Sequence, residues 1–245
     1  SLHLIENLAK RKDLKDWGGL GLAIQAYGKR APVVVKFVDQ LGSGRNGMMM
    51  RLVKGAYWDQ EVKIHQVKGA EDLPVFTSKS FTDLNYLATA KVISETKNLR
   101  PYFATHNAHT IAGIMELYKG REEEFEFQRI FGMGDLTYRN AEKVYEKFPL
   151  TRVYAPVGSK KELLPYLVRR LLENGANSSF VNKYLSKDIP IKDVVKNPIE
   201  IATKNLSEKN YLKQVPRPKD IFSDRENSVG FDFGDLMKIE ELSKK

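Results

Sequence analysis

An α/β fold built on a parallel sheet is what this 245-residue sequence predicts. Strand-like segments alternate with helix-like ones through residue 180, an order that argues for a parallel sheet with helices outside it. The strand candidates are short, apolar or β-branched, and bounded by turn residues. The helix candidates carry apolar residues at i, i+3, i+4 and i+7, which places them on one face. Five strands suit an open sheet or five parts of an eight-stranded barrel, and spacing alone leaves that choice open.

The strands are expected at residues 20–27, 48–54, 100–105, 125–130 and 152–156. Pro32 opens a helix running to Leu41, because the missing N–H costs nothing in the first turn. Gly42, Gly44 and Gly47 spell G-x-G-x-x-G, yet here a helix precedes and a strand follows. A dinucleotide fingerprint needs the reverse order, so these glycines read as a turn. Ile111, Ile114, Met115 and Tyr118 form one apolar helix stripe. Ala141, Val144, Tyr145 and Phe148 form the next, and Leu164, Leu167, Val168 and Leu171 a third. After Asn182 the character changes: residues 188–198 and 213–225 are charged, proline-containing and weakly periodic, and read as an irregular connecting segment. Residues 1–183 are thus expected to form one unit and 184–245 a linker, its last stretch, 227–245, beginning another element.

Composition narrows the function classes. Hydrophobic residues make up 42% of the chain, enough for a substantial core. The absence of cysteine excludes disulfides, thiolate metal sites and a cysteine nucleophile. The formal net charge of +9 favours anionic partners without choosing among nucleic acid, acidic lipid and a phosphorylated cofactor. No apolar run reaches the roughly 18 residues needed to cross a bilayer, and no signal-peptide pattern opens the chain.

Three constellations carry chemistry. His106 and His109 are three apart, but neither an H-E-x-x-H pattern nor a cysteine accompanies them, so a ligand contact or helix-start role is expected rather than a metal site. His106 and Asn107 follow a strand end, where α/β proteins place ligand contacts. In Arg51-Leu-Val-Lys-Gly-Ala-Tyr-Trp-Asp59, strand alternation puts Arg51 and Val53 on one face and Leu52 and Lys54 on the other. A guanidinium facing a sheet interior needs an acceptor, either a ligand or an internal ion pair. On the helix around Leu167, Arg169 and Arg170 stand side by side with Glu173 one turn onward. Two guanidinium forks suit a carboxylate, and the alternative is a solvated face with surface ion pairs.

Taken together, these stretches resemble the proline dehydrogenase domain of bacterial bifunctional proline-utilisation flavoproteins. The resemblance rests on Gly21-Leu-Ala-Ile-Gln-Ala-Tyr27, the Arg51–Asp59 segment, Phe103-Ala-Thr-His-Asn-Ala-His109, Phe125-Glu-Phe-Gln128 with Gly132-Met133, Tyr154-Ala-Pro-Val-Gly158 and Leu167-Val-Arg-Arg-Leu-Leu-Glu-Asn-Gly-Ala-Asn177. It spans residues 13–183, and Asn227-Ser-Val-Gly-Phe-Asp232 resembles the start of the aldehyde-dehydrogenase half of the same enzymes. The resemblance implies part of a distorted (βα)8 barrel, about its last five strands, that binds FAD and oxidises L-proline to pyrroline-5-carboxylate by hydride transfer to flavin N5. It places Arg51 near N5 and Gln25 on the isoalloxazine ring. Val53, Lys54, Gly55 and Ala56 line the cofactor, with Tyr57 and Trp58 packed about it. Thr77 and Lys79 reach its phosphate or adenosine portion, His106 and Asn107 the ribityl-pyrophosphate side, and Gln128 and Ile130 complete the contacts. Tyr154 covers the proline ring, Arg169 and Arg170 clamp its carboxylate, and Glu173 holds them.

By the same likeness, electrons pass to a membrane quinone, and the enzyme is cytoplasmic, visiting the inner membrane face. Nucleic acid is not expected as a partner of this segment. Ile130 stands where the family commonly has leucine, and Phe131 where histidine is common. The first three strands of such a barrel, with a substrate-facing lysine and an acidic residue, have no counterpart here. An open five-strand unit exposes edge and interior; the chain is therefore expected to be part of a longer protein or to assemble with itself, and alone to be a poor catalyst. The rival readings are a Schiff-base aldolase-type barrel using Lys54, a basic nucleic-acid module, and an inactive barrel fragment.

Overall fold

A computed structural model describes residues 2–175, 197–208, 215–231, 233 and 236–244. All five expected strands form: β1 (Gly21–Gln25), β2 (Met48–Val53), β3 (Leu99–Ala104), β4 (Glu126–Ile130) and β5 (Thr151–Tyr154). They pair in sequence order as a single parallel sheet. Parallel neighbours need long crossovers, and helices α2 (Ala31–Gly42), α3 (Trp58–Val67), α4 (Lys79–Ser94), α5 (Ala108–Leu117) and α6 (Asp135–Val144) provide them. Helix α1 (Leu2–Ala9) precedes β1, and α7 (Lys160–Gly175) follows β5.

Strand register sorts the residues onto two faces. Leu22, Met50, Pro101 and Ile24, Leu52, Phe103, Phe127 align across the sheet and pack beneath the helices. Met48, Met50, Leu52, Phe103 and Phe127 are fully buried there. Successive side chains alternate faces, so Gln25, Arg51, Val53, Tyr102, Glu126, Gln128, Ile130, Arg152 and Tyr154 share the other, open face. The core continues as an aromatic cluster in which Phe127 packs edge-on to Phe125 and Tyr138 and stacks on Phe148.

The Gly42–Gly47 stretch is a helix-to-strand turn, with Gly44 and Gly47 at φ +74° and +65° and β2 starting at Met48. Helix α2 begins at Ala31 with Pro32 in its first turn.

One expectation needs correction, and two further features go beyond the expectations. The stripe Ala141, Val144, Tyr145, Phe148 does not stay helical. Helix α6 stops at Val144, and Tyr145 is extended. Pro149 disfavours helical geometry at Phe148, and the extended chain lets Tyr145 and Phe148 pack on the core while Val144 points to solvent. The Leu164, Leu167, Val168, Leu171 stripe does lie on helix α7 but stays exposed, since nothing among the described residues covers it. Finally, a helix lies between the two stretches read as irregular. Helix α8 (Pro198–Ser207) is capped by Asn197, whose side chain accepts from the Ile199 N–H. It packs on α4, with Asn205 donating to Ser80 at 2.9 Å. Further on, the Gly230 N–H donates to the Gly69 carbonyl at 2.6 Å, and Lys238 of helix α9 (Leu236–Ser243) pairs with Glu71 at 2.5 Å.

Candidate active site

The open face holds a connected polar network at its centre. The Arg51 Nε–H donates to Gln128 Oε1 at 2.7 Å, and Arg51 Nη2 donates to the Tyr154 hydroxyl at 2.8 Å. The Arg51 guanidinium also lies 5.0 Å from the Tyr154 ring centroid, within range of a cation–π contact. Both hydrogen-bond partners are neutral, and no carboxylate pairs with Arg51 among the described residues. The internal ion pair considered for Arg51 is thus not found. A half-buried guanidinium with no carboxylate partner among the described residues is suited to an anionic or electron-rich ligand.

The network extends from Gln128. Its Nε2 donates to Glu126 Oε1 at 2.8 Å, and Arg152 grips that carboxylate in a bidentate fork, both bonds 2.8 Å. Burial works to raise the Glu126 pKa, but Arg152 and Gln128 outweigh it and hold the carboxyl below its ordinary value. Glu126 and Arg152 did not figure among the sequence candidates. A glutamate within an apolar strand, two residues before Gln128 and so on its face, was the available signal.

At the C-terminal end of the sheet, His106 Nε2 accepts from the Ile130 N–H at 3.2 Å. That bond requires Nε2 to be unprotonated, so the neutral ring carries its proton on Nδ1. Burial, then the positive charges of Arg170, Arg129 and Arg51, lower the His106 pKa to about 4. Arg170, from α7, therefore comes near the same imidazole as Arg51, from β2. Arg170 is half-buried over the Tyr166 ring, whereas Arg169 is exposed. The side chain of Glu173 lies outside the described residues.

An imidazole protonating near pH 4 when folded but near 6.5 when unfolded binds protons more readily in the unfolded chain. Its contribution is fully present above pH 6.5 and is lost as pH falls toward 4. His106→Gln, which keeps an acceptor for Ile130, should flatten the stability loss across that window, a difference of up to roughly 3 kcal/mol in urea unfolding. Identical acid limbs for the two proteins would contradict the buried neutral ring.

Other sequence candidates separate into those that touch the network and those that do not. Gln25 Oε1 accepts from the Ala56 N–H at 3.1 Å, drawing the loop after β2 over the sheet end. Gly55 has φ +130°, and a Cβ there would lie 2.0 Å from the Tyr27 ring. Only glycine allows this close approach. Lys54 and Lys79 share the Asp83 carboxylate, so Lys79 is not a free cation. Burial pushes the Lys54 ammonium below its ordinary pKa, but its ion pair with Asp83 occupies the amine a Schiff base would need. Trp58 donates from Nε1 to the Phe76 carbonyl at 2.8 Å and packs with Tyr27, Val62 and Leu73, while Tyr57 is exposed. Thr77 lines a cleft of about 380 Å³ toward α8, away from Arg51's network. Asn107 caps α5 by accepting from the Thr110 N–H.

Comparison with known proteins supplies the family. The chain is 42% identical over 258 residues to the Bifunctional protein PutA of Salmonella typhimurium, with 99% of this chain aligned. It is 41% identical to that of Rhizobium meliloti, with 100% aligned. It spans about a fifth of the length of these relatives, 19% and 20%. Among solved structures, a variant of Bradyrhizobium japonicum Proline Utilization A superposes with TM-score 0.89 at 43% identity, over 99% of this chain and 25% of that one. Proline utilization A from Bdellovibrio bacteriovorus, inactivated by N-propargylglycine, gives 0.80 at 30%, over 99% and 24%. The family model described as Proline dehydrogenase matches residues 1–183, which contain all five strands, Arg51's network and α7; this chain belongs to the proline dehydrogenase family.

Proposed function

We propose that this chain supplies the flavin- and proline-binding side of an FAD-dependent proline dehydrogenase. The observation that carries the reading is the Arg51 guanidinium, without a carboxylate partner among the described residues and held by Gln128 and Tyr154 on the open sheet face, with Arg170 near the same His106. The residues fit a flavin: Arg51 has guanidinium hydrogens without a partner among the described residues, and His106 presents a fixed Nδ1–H donor. Gln25, Arg51, Val53, Lys54, Gly55, Ala56, Gln128 and Ile130 would hold its ring, Tyr57 and Trp58 would flank it, and Thr77, Lys79, His106 and Asn107 would meet its remainder. FAD, when bound, supplies the hydride acceptor.

The chain's own residues then bind and orient. Arg51 places positive charge where negative charge develops on the acceptor. Arg169 and Arg170 would take the L-proline carboxylate, Glu173 would hold them, and Tyr154 would cover the pyrrolidine ring. Fixing substrate against acceptor removes much of the entropic barrier. The product would be pyrroline-5-carboxylate, and a membrane quinone would take the electrons. The missing strands would come from preceding residues of a longer bifunctional protein, with residues 1–183 in the barrel and 184–245 leading toward an aldehyde-dehydrogenase domain. No described helix is long and apolar enough to cross a membrane, and a cytoplasmic protein visiting the inner membrane face suits a quinone acceptor.

The test is turnover. Full-length protein should release FAD on denaturation and reduce a quinone analogue in an L-proline-dependent way. Protein that carries no FAD and shows no proline-dependent reduction rejects the reading.

A further inference from the structure

We propose that Glu126, clasped by Arg152, is a positioning residue that sets the amide orientation of Gln128 and through it the aim of Arg51. The inference rests on the flavin-site reading above and adds to it a residue two steps removed from the cofactor. An amide can present either its oxygen or its NH₂ to a neighbour, and the two differ greatly beside a guanidinium. Here Gln128 turns Oε1 to Arg51 at 2.7 Å and Nε2 to Glu126 at 2.8 Å. Flipped, Gln128 would set NH₂ against Arg51 and a carbonyl oxygen against a carboxylate, so both contacts become repulsive. Glu126 therefore decides which way Gln128 points.

The carboxylate is suited to that task. Glu126 is only 5% exposed, so its own position is fixed by packing. The bidentate Arg152 fork adds a donor to each oxygen and offsets its charge, sparing the cost of an unpaired buried anion. The pairing also keeps Glu126 from competing for Arg51. Arg51 spends Nε on Gln128 and one Nη2 hydrogen on Tyr154, and Nη1 has no partner among the described residues. Its free hydrogens are then aimed by two fixed anchors instead of one.

The test uses the full-length, FAD-loaded protein and two substitutions. Glu126→Leu removes the acceptor for Gln128 Nε2. It should lower kcat with proline about tenfold, the loss expected when one charge-assisted hydrogen bond no longer holds Arg51. KM should stay within about twofold, because Arg51 is not in the carboxylate clamp. The flavin absorption band should also shift. Glu126→Gln keeps an oxygen acceptor and should recover most of the loss. Should the leucine variant fail to fold, the glutamine variant still reads the idea through a smaller kcat effect and a correspondingly smaller band shift. An unchanged kcat and spectrum per bound flavin in both variants, with only thermal stability reduced, would overturn the proposal. Crystal structures separate this from the flavin reading: Gln128 still bonded to Arg51 in the leucine variant sinks the positioning role whether or not the protein binds FAD.

Discussion

Replacing Arg51 with methionine is expected to lower kcat with L-proline by about 10²–10³-fold, the usual cost of removing a donor aimed at developing charge. Arg51 also anchors its own surroundings. Its loss leaves the Gln128 oxygen and the Tyr154 hydroxyl short of a partner, which should cost about 1–3 kcal/mol in unfolding free energy. Lysine keeps the charge but not the planar fork, and cannot reach Gln128 and Tyr154 together in the same geometry. Arg51→Lys should therefore retain FAD yet recover only part of the rate. Wild-type turnover in the methionine variant, measured by stopped-flow reduction at saturating proline, would remove Arg51 from the chemistry.

Substituting Arg170 with alanine should act on a different parameter. Truncating one partner of a desolvated charge pair costs about 2 kcal/mol or more, so KM for proline should rise roughly 30-fold while FAD content stays the same. Arg169→Ala should shift affinity in the same direction. Arg170 also helps keep His106 neutral, so the alanine variant should raise the imidazole pKa from about 4 toward its ordinary value. Loss of FAD with unchanged proline affinity would contradict the clamp.

Much of the architecture is readable from local pattern. The strand at 48–54 works because its alternation sends Met48, Met50 and Leu52 to the helices and Arg51 to the open face. The Gly42–Gly47 turn is legible because order decides it: helix first, strand second. What could not be read depends on contacts between segments. Nothing local reveals that β4 and β5 set Gln128 opposite Arg152, and the Glu126 ion pair follows from that register. The early end of α6 reflects Phe148 seeking the core over the periodicity that predicted a longer helix. The docking of α8 on α4 comes from a short helix between the two charged, proline-containing stretches, for which no pattern had been weighed. Nor does local pattern show that Asp83, one helical turn from Lys79, holds both Lys79 and Lys54.

The proposed oxidation requires the face around Arg51 to receive a redox-active ring next to a bound amino acid. Anaerobic addition of L-proline to the purified full-length protein, followed by visible absorbance, addresses both at once. The oxidised flavin bands should be present at the start and bleach as proline is added, in proportion to the protein. A colourless protein, or yellow bands that persist unchanged at saturating proline, would contradict it.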